Sequence, residues 1–316
     1  MSSLLYIIFQ IIVFILLAPL VNGIIKKIKA LTQKRKGAPL LQLYFDIFKL
    51  LKKDVVVSDT TSWIFRATPY IVLSTALAGA VLVPVIICNS HTGFVGDAIL
   101  LAYLLALGRF FMTLSGLDAG STFGGMGSSR EVMISALIEP SLIITIFTAG
   151  LIAKSTSVFD MMSTAAGNGG IFSNPIYIFL FLTVFIIILA ETSRIPVDDP
   201  ATHLELTMVH EAMILEYSGR HLAMMELAAS VKQLIYISLL VNMFLPSVDV
   251  TVGGGLLPTV AVSLLVYIAK VIGTAIIVAV AEVSTVKLKL FSVPNLAALS
   301  FILAFIGFVQ YFVIGR

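Results

Sequence analysis

The sequence predicts an all-α polytopic membrane protein, formed as one integral membrane domain over residues 1–316 with eight spanning helices. Hydrophobic residues make up 59% of the chain and charged residues 12%, whereas an ordinary soluble domain carries about 25% charged residues. A span needs roughly 20 mostly apolar residues to cross a bilayer core of about 30 Å. Windows of that kind recur at 4–23, 69–88, 97–115, 132–153, 175–191, 231–247, 256–281 and 295–314.

Basic residues collect on every second connection between these windows. Connections 24–68, 116–131, 192–230 and 282–294, together with Lys232, hold 16 of the 20 lysines and arginines. Because basic residues mark cytoplasmic loops, this alternation predicts a multi-pass protein of the cytoplasmic or inner cell membrane. Both termini then lie outside and the long loops face the cytoplasm. The net charge of +3 reflects this bias and does not indicate a nucleic-acid partner.

The first connection contains a predicted amphipathic surface helix. Its apolar residues recur at three- and four-residue spacing, and its polar residues lie on the other face. At about 15 residues it is too short to cross, so we expect it in the interface plane. It either anchors the chain to anionic lipid or forms the lip of an entrance between membrane and cytoplasm. The apolar stripe is Leu40, Tyr44, Ile47, Phe48 and Leu51, and the preceding candidates for docking other subunits are Arg35, Gly37 and Pro39.

The connection 116–131 is rich in glycine. It resembles a phosphate-binding loop superficially, but no Gly-Lys-Ser/Thr follows and no strand precedes it, so nucleotide binding is disfavoured. We expect a compact loop that lets another subunit's backbone come close. Its candidate docking residues are Gly120, Gly125 and Arg130.

Three charged residues fall inside predicted spans. Arg109, Glu139 and Lys270 lie about 9, 13 and 17 Å from the cytoplasmic ends of their windows at 1.5 Å per residue. Facing lipid, each costs about 2.5–3.5 kcal/mol, so we expect all three to face the protein interior. Two interpretations remain open, structural ion pairs between helices and a proton route through Glu139. Pro140 favours a hydrated route because it leaves the carbonyl of Ala136 without its usual donor.

The connection after the fifth window is crowded with ionisable residues. Asp199 is a plausible N-cap with Pro200 at the first helical position, and the predicted helix runs to Gly219 before the sixth span. The two histidines of this helix lie about 10 Å apart along its axis, too far to bind one metal ion, so we predict no metal site. One interpretation is a solvated acidic face and the other a proton route. The residues concerned are His203, Glu205, His210, Glu211 and Glu216.

Two motifs resemble subunit 1 of respiratory complex I, the NADH-quinone oxidoreductase. Residues 191–198, Glu-Thr-Ser-Arg-Ile-Pro-Val-Asp, are similar to that family's Glu-Thr-Asn-Arg-x-Pro-Phe-Asp, and residues 216–219, Glu-Tyr-Ser-Gly, to its Glu-Tyr-Ser-Gly. Residues 115–131 and the pair Glu139-Pro140 are more similar to the membrane-bound nickel–iron hydrogenase branch. That branch includes the formate hydrogenlyase and energy-converting hydrogenase subunits.

The resemblance implies a membrane-anchor and ion-coupling subunit of an oxidoreductase complex, without a redox centre of its own. The single cysteine, Cys88, agrees with this because it provides no cluster of Cys ligands. The implied Ni–Fe centre and iron–sulfur clusters then lie in partner subunits. These partners are hydrogenase-like large and small cytoplasmic subunits, an iron–sulfur subunit and antiporter-like membrane subunits.

The combined hypothesis is a proton or sodium pathway that this chain couples to electron transfer in its partners. The pathway candidates are Glu139, Glu191, Asp198, Asp199, Glu205, Glu211 and Glu216, with His203 and His210. The residues expected to tune their charge are Arg109, Lys270, Arg194 and Asp118. The main alternative is the quinone-site subunit of a respiratory complex I. A stand-alone secondary transporter is disfavoured because the chain shows no internal repeat and its charges lie off-centre.

Overall fold

The computed structural model describes residues 3–85, 97–167, 175–198, 208–245 and 256–314, and within these ranges the protein is all-helical. The α-helices are α1 (Ser3–Thr32), α2 (Gln42–Leu51), α3 (Trp63–Leu82), α4 (Ala98–Asp118), α5 (Thr122–Ala153), α6 (Val158–Gly167), α7 (Pro175–Glu191), α8 (His210–Ile214), α9 (Gly219–Phe244), α10 (Leu256–Ser284) and α11 (Val293–Ile314).

Seven of the described helices, α1, α3, α4, α5, α9, α10 and α11, are long and apolar enough to cross a bilayer. The prediction of an all-α polytopic membrane protein is therefore confirmed. The eighth predicted window coincides with α7, which is apolar but has only 17 residues. Most of α9 is buried, and it packs against α1, α2, α3, α6, α7 and α10.

Four connections meet at one end of the bundle, which we call the basic end: residues 33–62, 119–121, 192–218 in their described part, and 285–292. Hydrogen bonds join these connections in pairs. Ser218 accepts from the N–H of Val56 at 2.9 Å, and the N–H of Leu288 donates to the carbonyl of Pro196 at 2.9 Å. Hydrogen bonds that involve the backbone therefore hold these connections together at the basic end.

The surface helix after the first span is present as α2. It packs on α9 through Leu43 and Ile47, which contact Ala223. Ile47 belongs to the predicted stripe, but Phe48 is exposed. Because the helix is apolar on the side away from the bundle as well, its geometry suits a position at the membrane surface.

The glycine-rich connection is not a loop, which corrects the prediction. Helix α5 begins at Thr122, so the true turn comprises only residues 119–121. Ser121 caps the helix by accepting the N–H of Gly124 at 3.1 Å, and Gly120 supplies the positive φ of 66° that the turn needs. Close packing stabilises this glycine-rich helix: a Cβ on Gly127 would lie 2.8 Å from the carbonyl oxygen of Val209.

The helix predicted from Asp199 to Gly219 is also wrong in its described part. Only His210–Ile214 forms a helix, α8, and Gly219 begins α9 instead of ending its predecessor. Gly219 does have positive φ, at 52°, and a Cβ there would lie 2.8 Å from the carbonyl oxygen of Lys53. Asp199, His203 and Glu205 lie outside the described residues.

Helix α6 was not predicted, because it is short and lies between two predicted spans. Its Met161, Met162 and Ala165 are buried, and it packs on α9 and α5. A bridge between Asp97 and Ser157 ties its start to the start of α4 at the end of the bundle opposite the basic end.

Candidate functional site

Four charged side chains from four helices meet inside the bundle. Arg109 of α4 places Nη1 3.0 Å from Oε1 of Glu191 and 3.2 Å from Oε1 of Glu139. Lys232 of α9 places Nζ 3.0 Å from Oε2 of Glu191. Arg109 and Glu191 are almost fully buried, but the side chain of Glu139 is 42% exposed. The cluster is therefore buried at Glu191 and exposed at Glu139.

A fifth charged residue, Glu131, belongs to the same interior. It lies on α5 about two helical turns before Glu139, is only 9% exposed, and shares a small cavity with Arg109 and Lys232. Glu131 is not among the residues predicted from the sequence, because the hydropathy windows place residue 131 at the end of a connection. Its helical spacing from Glu139 identifies it only when the helix is recognised to begin at Thr122.

The turn after α7 places the Arg194 side chain in the protein interior. The N–H of Arg194 donates to the carbonyl of Leu189 at 2.8 Å, and the N–H of Ser193 donates to that of Ala190 at 3.3 Å. With Ser193 at φ 52°, these two bonds form a Schellman motif. The chain reverses directly after Glu191, so Glu191 and Arg194 both point inward.

Arg194 organises a second buried cluster near the basic end. It donates to Glu282 of α10 at 3.1 Å, to Asn22 of α1 at 2.7 Å and to Gln233 of α9 at 2.9 Å. Lys29 lies 3.5 Å from the other oxygen of Glu282. Arg194, which directly follows α7, thus links that helix to α1, α9 and α10, and its carboxylate partner Glu282 is not among the residues predicted from the sequence.

Asp198 acts at the basic end, where it joins three segments of the chain. Its Oδ1 lies 2.8 Å from Nζ of Lys287, and its Oδ2 accepts the N–H groups of Val209 at 3.2 Å and His210 at 3.3 Å. The carboxylate therefore caps the helix of this connection at the start of α8, a role that the sequence predicts for Asp199.

Two titratable groups of α8 lie between these clusters. Burial, with a smaller contribution from Glu226, raises the pKa of Glu211 to about 7. Burial and the nearby Lys232 lower the pKa of His210 to about 4. Near neutral pH, Glu211 therefore exchanges a proton readily, whereas His210 is a neutral imidazole with one accepting and one donating nitrogen.

Several predicted residues lie apart from the Arg109 cluster. Lys270, on α10, is only partly buried and makes no ion pair within the described residues. Contrary to expectation, it therefore does not belong to the interior cluster. Glu216 is exposed at the turn after α8. Asp118 caps the start of α3, where it accepts the N–H groups of Ser62 at 2.9 Å and Phe65 at 3.2 Å.

The predicted docking residues lie mostly at the surface of the basic end. Arg130 donates to the carbonyl of Met208 at 3.1 Å, and a Cβ on Gly125 would meet nothing within 4 Å. Arg35 and Gly37 line the cavity at this end. Pro39 and Gly120 are exposed.

Three cavities follow one another through the protein. The first, of about 530 Å³ at the basic end, is lined by Lys26, Arg194, His210, Glu211, Glu226 and Glu282 among others. The second, of about 40 Å³, has Arg109, Glu131, His210 and Lys232 in its wall. The third, of about 680 Å³, is a groove along α4 and α5 that includes Arg109 and Glu139.

Neighbouring cavities share wall residues. His210, Met225 and Ala229 line the first and the second, and Arg109 lines the second and the third. A polar cavity needs only about 10–15 Å³ to hold a water molecule, so the small middle cavity has room for water between His210 and the Arg109 cluster. Among the described residues, no group of three or more His, Cys, Asp or Glu side chains is arranged to hold a metal ion.

A family profile and two similar proteins match most of this chain. The profile of the family described as NADH dehydrogenase matches residues 4–313. Formate hydrogenlyase subunit 4 of Escherichia coli (strain K12) is 34% identical over 310 residues, 98% of each chain. Hydrogenase-4 component C of the same organism is 37% identical over 244 residues, 75% of this chain and 74% of that one.

A solved structure shows the same fold. A chain of the membrane-bound sulfane sulfur reductase, an archaeal respiratory membrane complex, superposes with a TM-score of 0.84 over 98% of this chain and 99% of that chain. The two sequences are 18% identical, so the likeness concerns the fold alone.

Proposed function

Because the chain belongs to the NADH dehydrogenase family, we propose that it is the membrane-anchor and ion-coupling subunit of a membrane-bound hydrogenase related to complex I. Its relatives named as formate hydrogenlyase and hydrogenase-4 components support the hydrogenase type. In this proposal the Ni–Fe centre and iron–sulfur clusters lie in partner subunits. The chain links electron transfer in those subunits to the movement of protons or sodium ions across the membrane.

In the membrane, the proposed arrangement has eight spans with both termini outside and the basic end in the cytoplasm. The lysines and arginines of the basic end support this orientation. Helix α7, at 17 residues, extends about 26 Å, close to the thickness of the hydrocarbon core. It therefore serves as the fifth span, and α2 lies in the cytoplasmic interface.

The proposed ion route begins in the cavity at the basic end. Glu211 takes up a proton there, and the neutral imidazole of His210 passes it toward the middle cavity. From Glu131 and Glu191 the proton crosses beside Arg109 to Glu139, which opens on the groove. The observation that carries the proposal is that Arg109 lies between Glu191 and Glu139, with cavities on both sides of it.

The charge of the cluster supports a mobile proton. Glu131, Glu139 and Glu191 provide three carboxyl groups, whereas Arg109 and Lys232 provide two positive charges. An uncompensated charge is costly in a dry interior, so the cluster is neutral when it holds one proton. That proton can reside on any of the three carboxyl groups, and transfer among them moves it from the middle cavity to the groove.

The partners are assigned from the two ends of this route. The basic end is proposed to dock the hydrogenase-like and iron–sulfur subunits, where Arg35, Gly37, Pro39, Gly120, Gly125 and Arg130 are the candidate contacts. Glu139 is 42% exposed in the groove, at a depth where a lipid-facing charge is costly. An antiporter-like membrane subunit that covers Glu139 and continues the route fits this position.

Replacement of Glu139 by Gln tests the proposal. Because Arg109 keeps its ion pair with Glu191, the Glu139→Gln complex is expected to assemble, but the proton route ends before the groove. Redox-driven ion uptake by vesicles carrying the purified complex should fall to background. Asp59→Asn, which removes an exposed acid outside the cavities, is the control. Unchanged pumping in Glu139→Gln would remove this residue from the mechanism.

The alternative is a quinone-site subunit of a respiratory complex I. The cavity of about 530 Å³ at the basic end favours it, because a chamber of this size can accept a small ring. Its wall carries charges of both signs, which suits water and ions better than an apolar quinone. Hydrogen evolution by the purified complex supports the hydrogenase type, whereas inhibitor-sensitive quinone reduction supports the alternative.

A further inference from the structure

Lys270 is a charged residue in the middle of a spanning helix without an ion-pair partner in the described part of its own chain. It is the fifteenth residue of the 29-residue helix α10, about 21 Å from either end at 1.5 Å per residue. Within the described residues no carboxylate lies within ion-pair distance of it, whereas Arg109, Arg194 and Lys232 are all paired. Its neighbours on the packed side, Tyr267 and Val271, are buried, but Lys270 itself is partly exposed.

A cation at this depth requires an anion or another polar group. Half of the hydrocarbon core is about 15 Å thick, and a lysine side chain reaches roughly 6 Å toward the headgroups when it snorkels. Lys270 at the midpoint of α10 therefore cannot bring its ammonium group to the interface. A cation left in lipid is costly, and a carboxylate supplied by another chain would offset that cost.

Gly273 indicates what approaches this side of α10. Ser263, Val266, Lys270, Gly273 and Ile277 recur at three- and four-residue spacing and form one stripe, which we call the Lys270 stripe. A Cβ on Gly273 would meet no described atom within 4 Å. A glycine inside a helix is less favourable than alanine, and no described neighbour packs closely against Gly273 to compensate.

Glycines in the other spans are used differently. A Cβ on Gly79 would lie 3.2 Å from Leu101, one on Gly108 2.7 Å from Thr75, and one on Gly307 3.2 Å from Leu180. Each of these lets two helices of this chain come close. Small residues serve the same purpose between membrane helices of different subunits, where polar side chains add hydrogen bonds.

We propose that the Lys270 stripe is the docking face for a transmembrane helix of another membrane subunit, one that carries an aspartate or glutamate at the depth of Lys270. The partner's backbone passes over Gly273, and its carboxylate pairs with the ammonium group. This inference rests on the proposed membership in a multisubunit complex, but not on the ion route through Glu139.

Photo-crosslinking from adjacent residues of α10 tests the position of the partner. A photoreactive amino acid is placed at Ile277, inside the stripe, or at Ile276, about 100° around the helix; the two side chains are 53% and 42% exposed. In the purified complex, Ile277 is expected to give an adduct with a membrane subunit that has an acidic residue in a span, and Ile276 an adduct with lipid. Only lipid adducts at Ile277, in a complex that retains its catalytic subunits, would overturn this inference and leave the proposed function standing.

Charge reversal tests the chemistry of the contact. Lys270→Glu is expected to reduce the amount of that subunit in the purified complex roughly tenfold, in line with about 1–2 kcal/mol for a polar contact between membrane helices. Replacing the partner's acid by lysine should restore it. Lys270→Met, which keeps the length of the side chain, shows whether the chain still inserts. An unchanged amount of that subunit in both Lys270→Glu and Lys270→Met would overturn the proposal. So would a charge swap that does not restore the subunit although the Lys270→Glu chain still inserts.

Discussion

Arg109 is the residue on which the candidate site depends, because it joins a buried carboxylate to a half-exposed one. Its two ion pairs differ in environment: the Glu191 side chain is 4% exposed and the Glu139 side chain 42%. Removing one partner of a buried pair leaves an uncompensated charge in the interior. The two glutamates therefore differ in what their loss does to the fold, even though both are proposed to carry a proton.

A matched pair of Glu-to-Gln replacements measures this difference. Glu191→Gln removes the carboxylate that lies 3.0 Å from both Arg109 and Lys232, and because these pairs are buried we expect it to lower the free energy of unfolding by about 3–5 kcal/mol. Glu139→Gln is expected to cost less than about 1 kcal/mol, as an exposed ion pair does. Thermal unfolding in detergent provides the measurement. Combining Glu191→Gln with Lys232→Met should recover part of the loss; if it recovers none, Lys232 is not part of the cluster.

Glu211 gives the stability of the protein a pH dependence. Its pKa is raised from an ordinary value of 4.5 to about 7 by burial, so folding favours the neutral acid. The stabilisation is complete below pH 4.5 and is lost as the pH rises through 7. Compared with Glu211→Gln, the wild-type protein should lose about 3 kcal/mol of stability between pH 4.5 and pH 8.

Thermal unfolding of both proteins across this pH range tests the prediction. His210 changes the stability in the opposite direction, because its lowered pKa means that folding favours the neutral ring at high pH. Since His210 is present in both proteins, its contribution cancels in the comparison. Glu216→Gln makes the same chemical change at an exposed position and should not alter the slope. Parallel curves for wild type and Glu211→Gln would contradict a neutral buried carboxyl at this position.

Helix boundaries explain most of the differences between the predicted and the observed elements. Hydropathy windows end where charge begins, but α5 starts ten residues before its window and α9 twelve residues before its own. Glu131, which the prediction places at the end of a connection, therefore lies on α5 and points inward. Glu282, just after its predicted window, is likewise still within α10.

The glycines of α5 offer a test at the scale of the helix. Gly127→Ala would place a methyl group 2.8 Å from the carbonyl of Val209 and 2.9 Å from Cβ of Ala212, so α8 must shift, and we expect a loss of about 1–3 kcal/mol. Gly125→Ala meets nothing within 4 Å and should gain up to about 1 kcal/mol through helix propensity. Unfolding midpoints decide between the two effects. Equal shifts for both variants would contradict the packing of α5 on α8.

At the scale of the whole molecule, the site exists because distant segments converge. Residues 109, 131, 191 and 232 come from four helices, and no two of them are fewer than 22 residues apart. The first cavity lies against α1, α8, α9 and α10, and the groove lies along α4 and α5. A series of cavities with shared wall residues thereby runs through the bundle from the basic end to the groove beside Glu139.

The sequence by itself determined the all-helical membrane class, the approximate positions of the seven candidate spans and the burial of Arg109. These follow from local physics, because lipid requires backbone polar groups to bond within a helix and makes an exposed charge expensive. Only the tertiary structure decided which charges meet. The rotation and depth of each helix are set by its packing against neighbours, so periodicity could not predict the pairing of Arg194 with Glu282, the presence of Glu131 and Lys232, or the separation of Lys270 from every described carboxylate. Packing also turned the glycine-rich connection into helix, since close contact with α8 offset the poor helix propensity of glycine.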